Sequence, residues 1–246
     1  MWYSKNFLLK STCILSLITL FPLTGIVQAQ GDTLETPGYR NLDLRWHLEG
    51  SLIIGVGLKN HVIGKTNQND DIKMSGGGGF GGNLMLGYSL SPAWDLGAEV
   101  SIQNSSLQPK VENASGSFLR TAISAKIKYR FPVSSTGSIN IGGGAGYYMP
   151  NEFDIDASSV SGGAHNIYGY DNAVGFQLLG EYEGFFTSSF GWILGLKYYN
   201  VTYDLNSAKS NGIDVPLNQL PSDIKNELNK LDGSSVDLVL SLTYYF

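Results

Sequence analysis

From residue 46 onward, apolar and polar side chains alternate in stretch after stretch. Period two puts neighbouring side chains on opposite faces of an extended strand. Residues 46–58 place Trp46, Leu48, Leu52, Ile54, Val56 and Leu58 on one face, and His47, Glu49 and Ser51 on the other. Residues 80–90 set Phe80, Leu84, Leu86, Tyr88 and Leu90 against Asn83, Met85 and Ser89. Residues 94–103 set Trp94, Leu96, Val100 and Ile102 against Asp95, Glu99 and Gln103. The cleanest stretch is 119–131, where Leu119, Ile123, Ile127, Tyr129 and Phe131 oppose Arg120, Lys126, Lys128 and Arg130. Four more follow, over 139–149, 174–183, 192–199 and 236–246. The polar face of the last three carries Glu181 and Glu183, then Lys197, then Asp237. The pattern predicts an all-β chain of eight antiparallel strands.

Proline supports this reading, since it has no N–H to give to a ladder. Pro37, Pro92, Pro109, Pro132, Pro150, Pro216 and Pro221 all fall outside the expected strand cores. The connections alternate in length. Those at 91–93, 132–137 and 187–189 are short, and those at 59–79, 104–117, 150–172 and 204–235 are long. Such an alternation matches an up-and-down membrane barrel, with tight periplasmic turns and long outer loops.

The first residues read differently. Lys5 and Lys10 precede an apolar run that ends in Val27-Gln28-Ala29, which predicts a signal peptide over 1–29 with cleavage after Ala29. The run is short and interrupted by Pro22 and Gly25, which weighs against a membrane anchor. Cys13 precedes the apolar stretch rather than following it, so a lipoprotein signal fits poorly. Residues 30–45 are then an N-terminal periplasmic segment and 46–246 the barrel. Removing the leader takes away Lys5, Lys10 and the single cysteine, leaving a more acidic, cysteine-free chain.

Composition narrows the classes further. Charged residues are 15% and aromatics 12%, which excludes a disordered chain. Glycine is 31 of 246 residues, which disfavours a helical bundle. A net charge of -5 with no basic block gives no reason to expect a nucleic-acid partner. One cysteine rules out a disulfide framework or a cysteine-ligated zinc site.

A soluble lipocalin-like barrel would turn the apolar face inward instead. Two features favour lipid on that face. The opposite face carries Glu49, Asp95, Glu99, Glu181, Glu183 and Asp237 with Arg120, Lys126, Lys128, Arg130 and Lys197, nearly balanced and able to pair inside a narrow barrel. In addition, Trp46, Tyr88, Trp94, Tyr129, Phe131, Tyr182, Phe185, Trp192, Tyr244 and Phe246 cluster toward the short-turn end, as an interfacial aromatic girdle would.

The signal peptide, the run 87–92 leading to Trp94-Asp95-Leu96-Gly97-Ala98-Glu99, and the end Leu242-Thr243-Tyr244-Tyr245-Phe246 resemble the small eight-stranded outer-membrane barrels of the OmpX, opacity-protein and OmpA-barrel types. The resemblance covers residues 46–246. It implies an outer-membrane location with lipid around the barrel. It also implies Tyr244 and Phe246 as an assembly signal for the barrel-insertion machinery. The chain reaches Phe246 without the peptidoglycan-binding domain of OmpA-type proteins, so that activity is not implied.

Other chemistry is thin. Gly77-x-Gly79-x-x-Gly82 matches a dinucleotide fingerprint on paper, but a strand follows where a helix is required. Gly142, Gly144 and Gly146 alternate on the polar face and read as space for neighbouring Arg, Lys and Tyr side chains. His47, His61 and His165 are scattered, with no metal-ligating spacing. A lipid-modifying enzyme would need a His and a Ser on the lipid face near the outer rim, which His47 does not offer. In 221–231, Ile224, Leu228 and Leu231 recur at helical spacing and predict a short helix ended near Gly233, packed over the barrel mouth or without a partner. No cofactor or metal is expected. The reading is a monomeric, non-enzymatic integral outer-membrane protein with a structural role or an extracellular ligand met by four long loops. The alternative is a narrow, porin-like channel for small solutes.

Overall fold

The computed structural model describes residues 45–65, 71–108, 112–134, 136–160 and 163–246. The expected signal peptide and nearly all of the periplasmic segment lie outside them. The strands are β1 (Trp46–Gly57), β2 (His61–Lys65), β3 (Asp71–Met74), β4 (Gly78–Ser89), β5 (Trp94–Ser106), β6 (Ser115–Ser134), β7 (Gly137–Asp156), β8 (His165–Tyr170), β9 (Ala173–Phe185), β10 (Phe190–Asn200), β11 (Thr202–Ser210), β12 (Ile213–Asp214), β13 (Lys230–Asp232) and β14 (Ser235–Tyr245). One α-helix, α1 (Ser222–Leu228), precedes β13.

Strands β1, β4, β5, β6, β7, β9, β10 and β14 form a closed antiparallel barrel of eight strands. Closure joins first strand to last: His47 stands opposite Tyr245 and Gly57 opposite Ser235. At its lower end Trp46 N–H donates to the Phe246 carbonyl at 3.2 Å, and the reverse bond is 2.9 Å. Every strand thus pairs on both sides, the condition for crossing a bilayer without unsatisfied backbone. Among the described residues no helix is long and apolar enough to cross a membrane. In SDS without heating, folded protein is expected to migrate apart from boiled protein and to resist protease. Identical migration with equal protease sensitivity would contradict closure.

The outward face is apolar. Leu52, Ile54, Val100, Ile123, Leu178 and Leu240 are exposed there, while the alternate positions are buried. Near the short turns the outward aromatics meet in pairs: Trp46 with Tyr88 (4.8 Å), Trp94 with Tyr129 (4.8 Å) and Tyr182 with Trp192 (5.5 Å). Phe185 differs from expectation. It follows the buried Glu183 by two residues and packs on buried Tyr245 at 5.7 Å, so it belongs to the barrel floor and not to the girdle.

The long connections are more ordered than the alternation suggests. The β6–β7 hairpin runs well past the other strands, and β8 pairs with the upper end of β7 from Phe153 to Asp156. Strand β11 adds to β8, and both β12 and β13 pair with β11. The first connection forms the β2–β3 hairpin, tied to the end of β5 by two 2.9 Å backbone bonds between Lys73 and Gln108.

Two prolines also depart from expectation, because Pro132 and Pro150 lie inside β6 and β7. Pro132 sits at a register shift before Ser134, near the strand end. Pro150 sits where β7 passes between partners, after β9 pairs at Tyr148 and before β8 pairs at Phe153. A missing N–H costs least at a bulge or unpaired edge.

Candidate functional site: the lumen and its cap

Glu49, Asp95, Glu99, Arg120, Lys126, Lys128, Arg130, Glu181, Glu183, Lys197 and Asp237 all point inward, none more than 7% exposed. Their placement follows from the pleat: on each strand they occupy positions alternate to the lipid-facing residues. Strand β6 sends its four cations down one wall, and acids from other strands meet them at successive levels.

At the short-turn end Arg130 donates to Asp95 (2.7 Å) and Glu183 (3.2 Å). Ser89 also hydrogen-bonds Asp95, and Tyr245 and Asn140 donate to Glu183. His47 lies 4.0 Å from Asp95 and against the Tyr245 ring. Above it, Lys128 bridges Glu181 of β9 (3.2 Å) and Glu49 of β1 (3.4 Å), so one cation joins opposite walls. Ser51 and Ser241 complete the shell of Glu49 at 3.2 and 3.1 Å. Next, one oxygen of Glu99 takes both Lys126 (2.5 Å) and Lys197 (2.9 Å). The uppermost level holds Arg120, whose Nη2 reaches Gln103 and Ser235 and lies 3.7 Å from Asp237. Gln103 donates to Asp237 at 3.0 Å, and the Tyr199 ring lies beneath the guanidinium at 5.3 Å.

At Gly142 and Gly144 the nearest neighbours are the backbone of β6, and not the ends of the long side chains that the sequence suggested. A Cβ on Gly144 would stand 2.2 Å from the Ala125 carbonyl and 2.9 Å from the Lys126 Cα. A Cβ on Gly142 would meet the Ile127 carbonyl at 2.3 Å. These glycines let β7 press against the backbone that carries the cations.

Above Arg120 the interior becomes apolar. Phe118, Phe153, Tyr170 and Tyr203 pack together with ring centroids 5.6 to 6.4 Å apart. Met74 from β3, Leu228 from α1 and Leu231 from β13 join this buried core. The helix is shorter than the spacing predicts: it ends at Leu228, and Leu231 lies in β13. The three apolar side chains still share one destination, with Ile224 packed against the same core. The glycine run before β4 lies beneath this cap. A Cβ on Gly77 would stand 2.4 Å from the Ser234 carbonyl, and Gly78 and Gly79 take positive φ of 75° and 95°. Arg120 ties lumen to cap by donating to the Gly233 carbonyl at 2.7 Å.

Three parts of this arrangement escape sequence reasoning. Asp237 is visible as an inward acid, but not as the partner of Arg120. Gln103 and Tyr199 carry no charge to mark them. The aromatic core is hidden because its members come from separate connections, with Phe118 beyond the pattern of β6. Inward parity on β5, β6, β10 and β14 was the usable signal. His165 accepts no part in the lumen; it pairs with Asp154 at 2.8 Å on the outer strands. Among the described residues no group of three or more His, Cys, Asp or Glu side chains is arranged to hold a metal.

No family model matches the chain, and no curated protein matches it in sequence. Solved structures do match in fold. The outer membrane protein OprG from Pseudomonas aeruginosa is 12% identical, with 86% of this chain and 99% of that one covered and a TM-score of 0.54. Neisserial surface protein A is 13% identical, covering 82% and 97%, at 0.49. AlkL, solved in lipid bilayers, is 12% identical, covering 88% and 96%, at 0.46. The chain has the fold of the small eight-stranded outer-membrane barrels.

Proposed function

We propose that the protein is a monomeric, non-conducting and non-enzymatic barrel that serves the envelope as a structural element and presents its outer extension to a partner outside the cell. The supporting observation is the filled lumen. Charged side chains cross it at successive levels, with Lys128 joining Glu49 on one wall to Glu181 on another. An aromatic core then covers the upper end. An eight-stranded barrel has room inside for side chains and little else.

We extend the same proposal to the partners. Lipid surrounds the apolar outward face. The barrel-insertion machinery reads Tyr244 and Phe246, both exposed on that face. A surface ligand meets the strands β6, β7, β8 and β11 above the membrane. Single-channel recording in planar bilayers tests the reading. Purified folded protein is expected to give no discrete conductance steps in concentrated KCl. Reproducible steps would replace it with a narrow channel for small solutes.

A further inference from the structure

Two outer segments meet at a seam above β1 and β14. One is the β2–β3 hairpin, and the other is α1 with β13. His61, the first residue of β2, is wholly buried there. Its Nε2 accepts the Asp232 backbone N–H at 3.4 Å, and its Nδ1 lies 3.7 Å from the Glu227 carboxylate of α1. A backbone bond from Leu58 to Ser234 runs alongside at 2.9 Å. Met74, its register partner on β3, belongs with Leu228 and Leu231 to the buried apolar core.

We propose that His61 is an acid-sensitive latch holding the outer cap shut. Only a neutral ring can accept the Asp232 amide. A protonated ring carries donors on both nitrogens and faces a donor at Nε2. Each packed element adds its own charge. The segment leading into β2 adds Lys59, which opposes protonation. Glu227 of α1 and Asp232 of β13 favour it, although the Asp232 carboxylate already accepts the Ser234 N–H at 2.7 Å. Strand β3 faces His61 with uncharged Met74, while its Asp71 and Lys73 pair with each other at 3.8 Å. Burial is the largest effect and, with Lys59, holds His61 below the ordinary histidine range.

The sign follows by linkage. With the seam open the ring is hydrated and titrates normally, so the open form binds more protons. Closure is therefore complete above the ordinary histidine range and weakens as pH falls through it. Opening would uncover Met74, Leu228 and Leu231 at the cell surface and leave the barrel ladder intact.

Hydrogen exchange followed by NMR, on folded protein in lipid nanodiscs, tests the latch. After correction for intrinsic rates, protection of Val62 and Asp232 is expected to fall severalfold to about tenfold between about pH 7.5 and about pH 5.5. Protection of Leu240 in β14 should hold. His61→Gln keeps an acceptor for the Asp232 amide and should make the seam indifferent to pH. Glu227→Gln removes the counter-charge and should enlarge the acid effect. Seam protection that stays flat with pH in the natural protein, or a pH dependence unchanged in His61→Gln, overturns the proposal. Should the variant fail to fold, direct NMR titration of His61 in the natural protein decides. Titration at or above the ordinary histidine value overturns it.

Discussion

Replacing Lys128 with Met is expected to destabilise the folded barrel by about 3–5 kcal/mol, the usual cost of removing one partner of a buried ion pair. The geometry of Lys128 argues for the larger figure. Its ammonium is the bridge between Glu49 at 3.4 Å and Glu181 at 3.2 Å. Without it, two buried carboxylates face each other with no cation between them. Denaturant unfolding in lipid vesicles measures the loss. Lys128→Met combined with Glu181→Gln should recover part of it, because the second change removes one of the stranded charges. Lys230→Met makes a suitable contrast. Its pair with Asp204 is 3.7 Å long and well exposed, so a change of under about 1 kcal/mol is expected. A similarly small change for Lys128→Met would mean that the lumen solvates its charges and that the cross-links do not hold the walls together.

The barrel was legible in the sequence because a membrane strand leaves a pattern at every second position. Residues 119–131 show this best: Leu119, Ile123, Ile127, Tyr129 and Phe131 fall on one face and all four cations on the other. Period two settles the facing of a side chain but not its partner. Arg120 is inward by parity, yet parity does not give its partners: Gln103 stands opposite it on the neighbouring β5, and Ser235 and Asp237 reach it from β14. Shear between strands sets those levels, and no local residue encodes it.

The outer extension was less legible. Long connections rich in Gly, Asn and Ser look like loops, and they break the alternation before new strands begin. Strand β8 and the upper part of β7 pair across the segment 157–164, so neither signals the other locally. Phe185 was misplaced for a related reason. Aromatics near strand ends suggest a girdle, but parity from Glu183 puts this ring under Tyr245. The short helix was recognisable from Ile224 and Leu228, and its early end was not, because Leu231 fits helical spacing and buries equally well in β13.

Replacing Phe118 with Ala is expected to loosen the cap while the barrel remains folded. Phe118 is fully buried and packs at steep ring angles against Phe153 (5.6 Å), Tyr203 (5.8 Å) and Tyr170 (6.2 Å). Emptying such a site costs about 3–5 kcal/mol, and the cost should fall on the elements that meet there. Those elements are β3, β8, β11, α1 and β13, joined largely through apolar side chains. The barrel below keeps its own ladder and ion pairs, so the shifted migration in SDS should persist while the outer segments become protease-sensitive. Phe131→Ala, on the lipid face beside Tyr129 at 4.6 Å, should leave those segments protected. Bilayer recording of Phe118→Ala then separates the two barriers in the lumen. Continued silence would assign the block to the ionic levels between Arg120 and Arg130. Conductance steps in this variant alone would assign it to the aromatic cap. Loss of cap and barrel together at one denaturant midpoint would show that they unfold as a single cooperative unit.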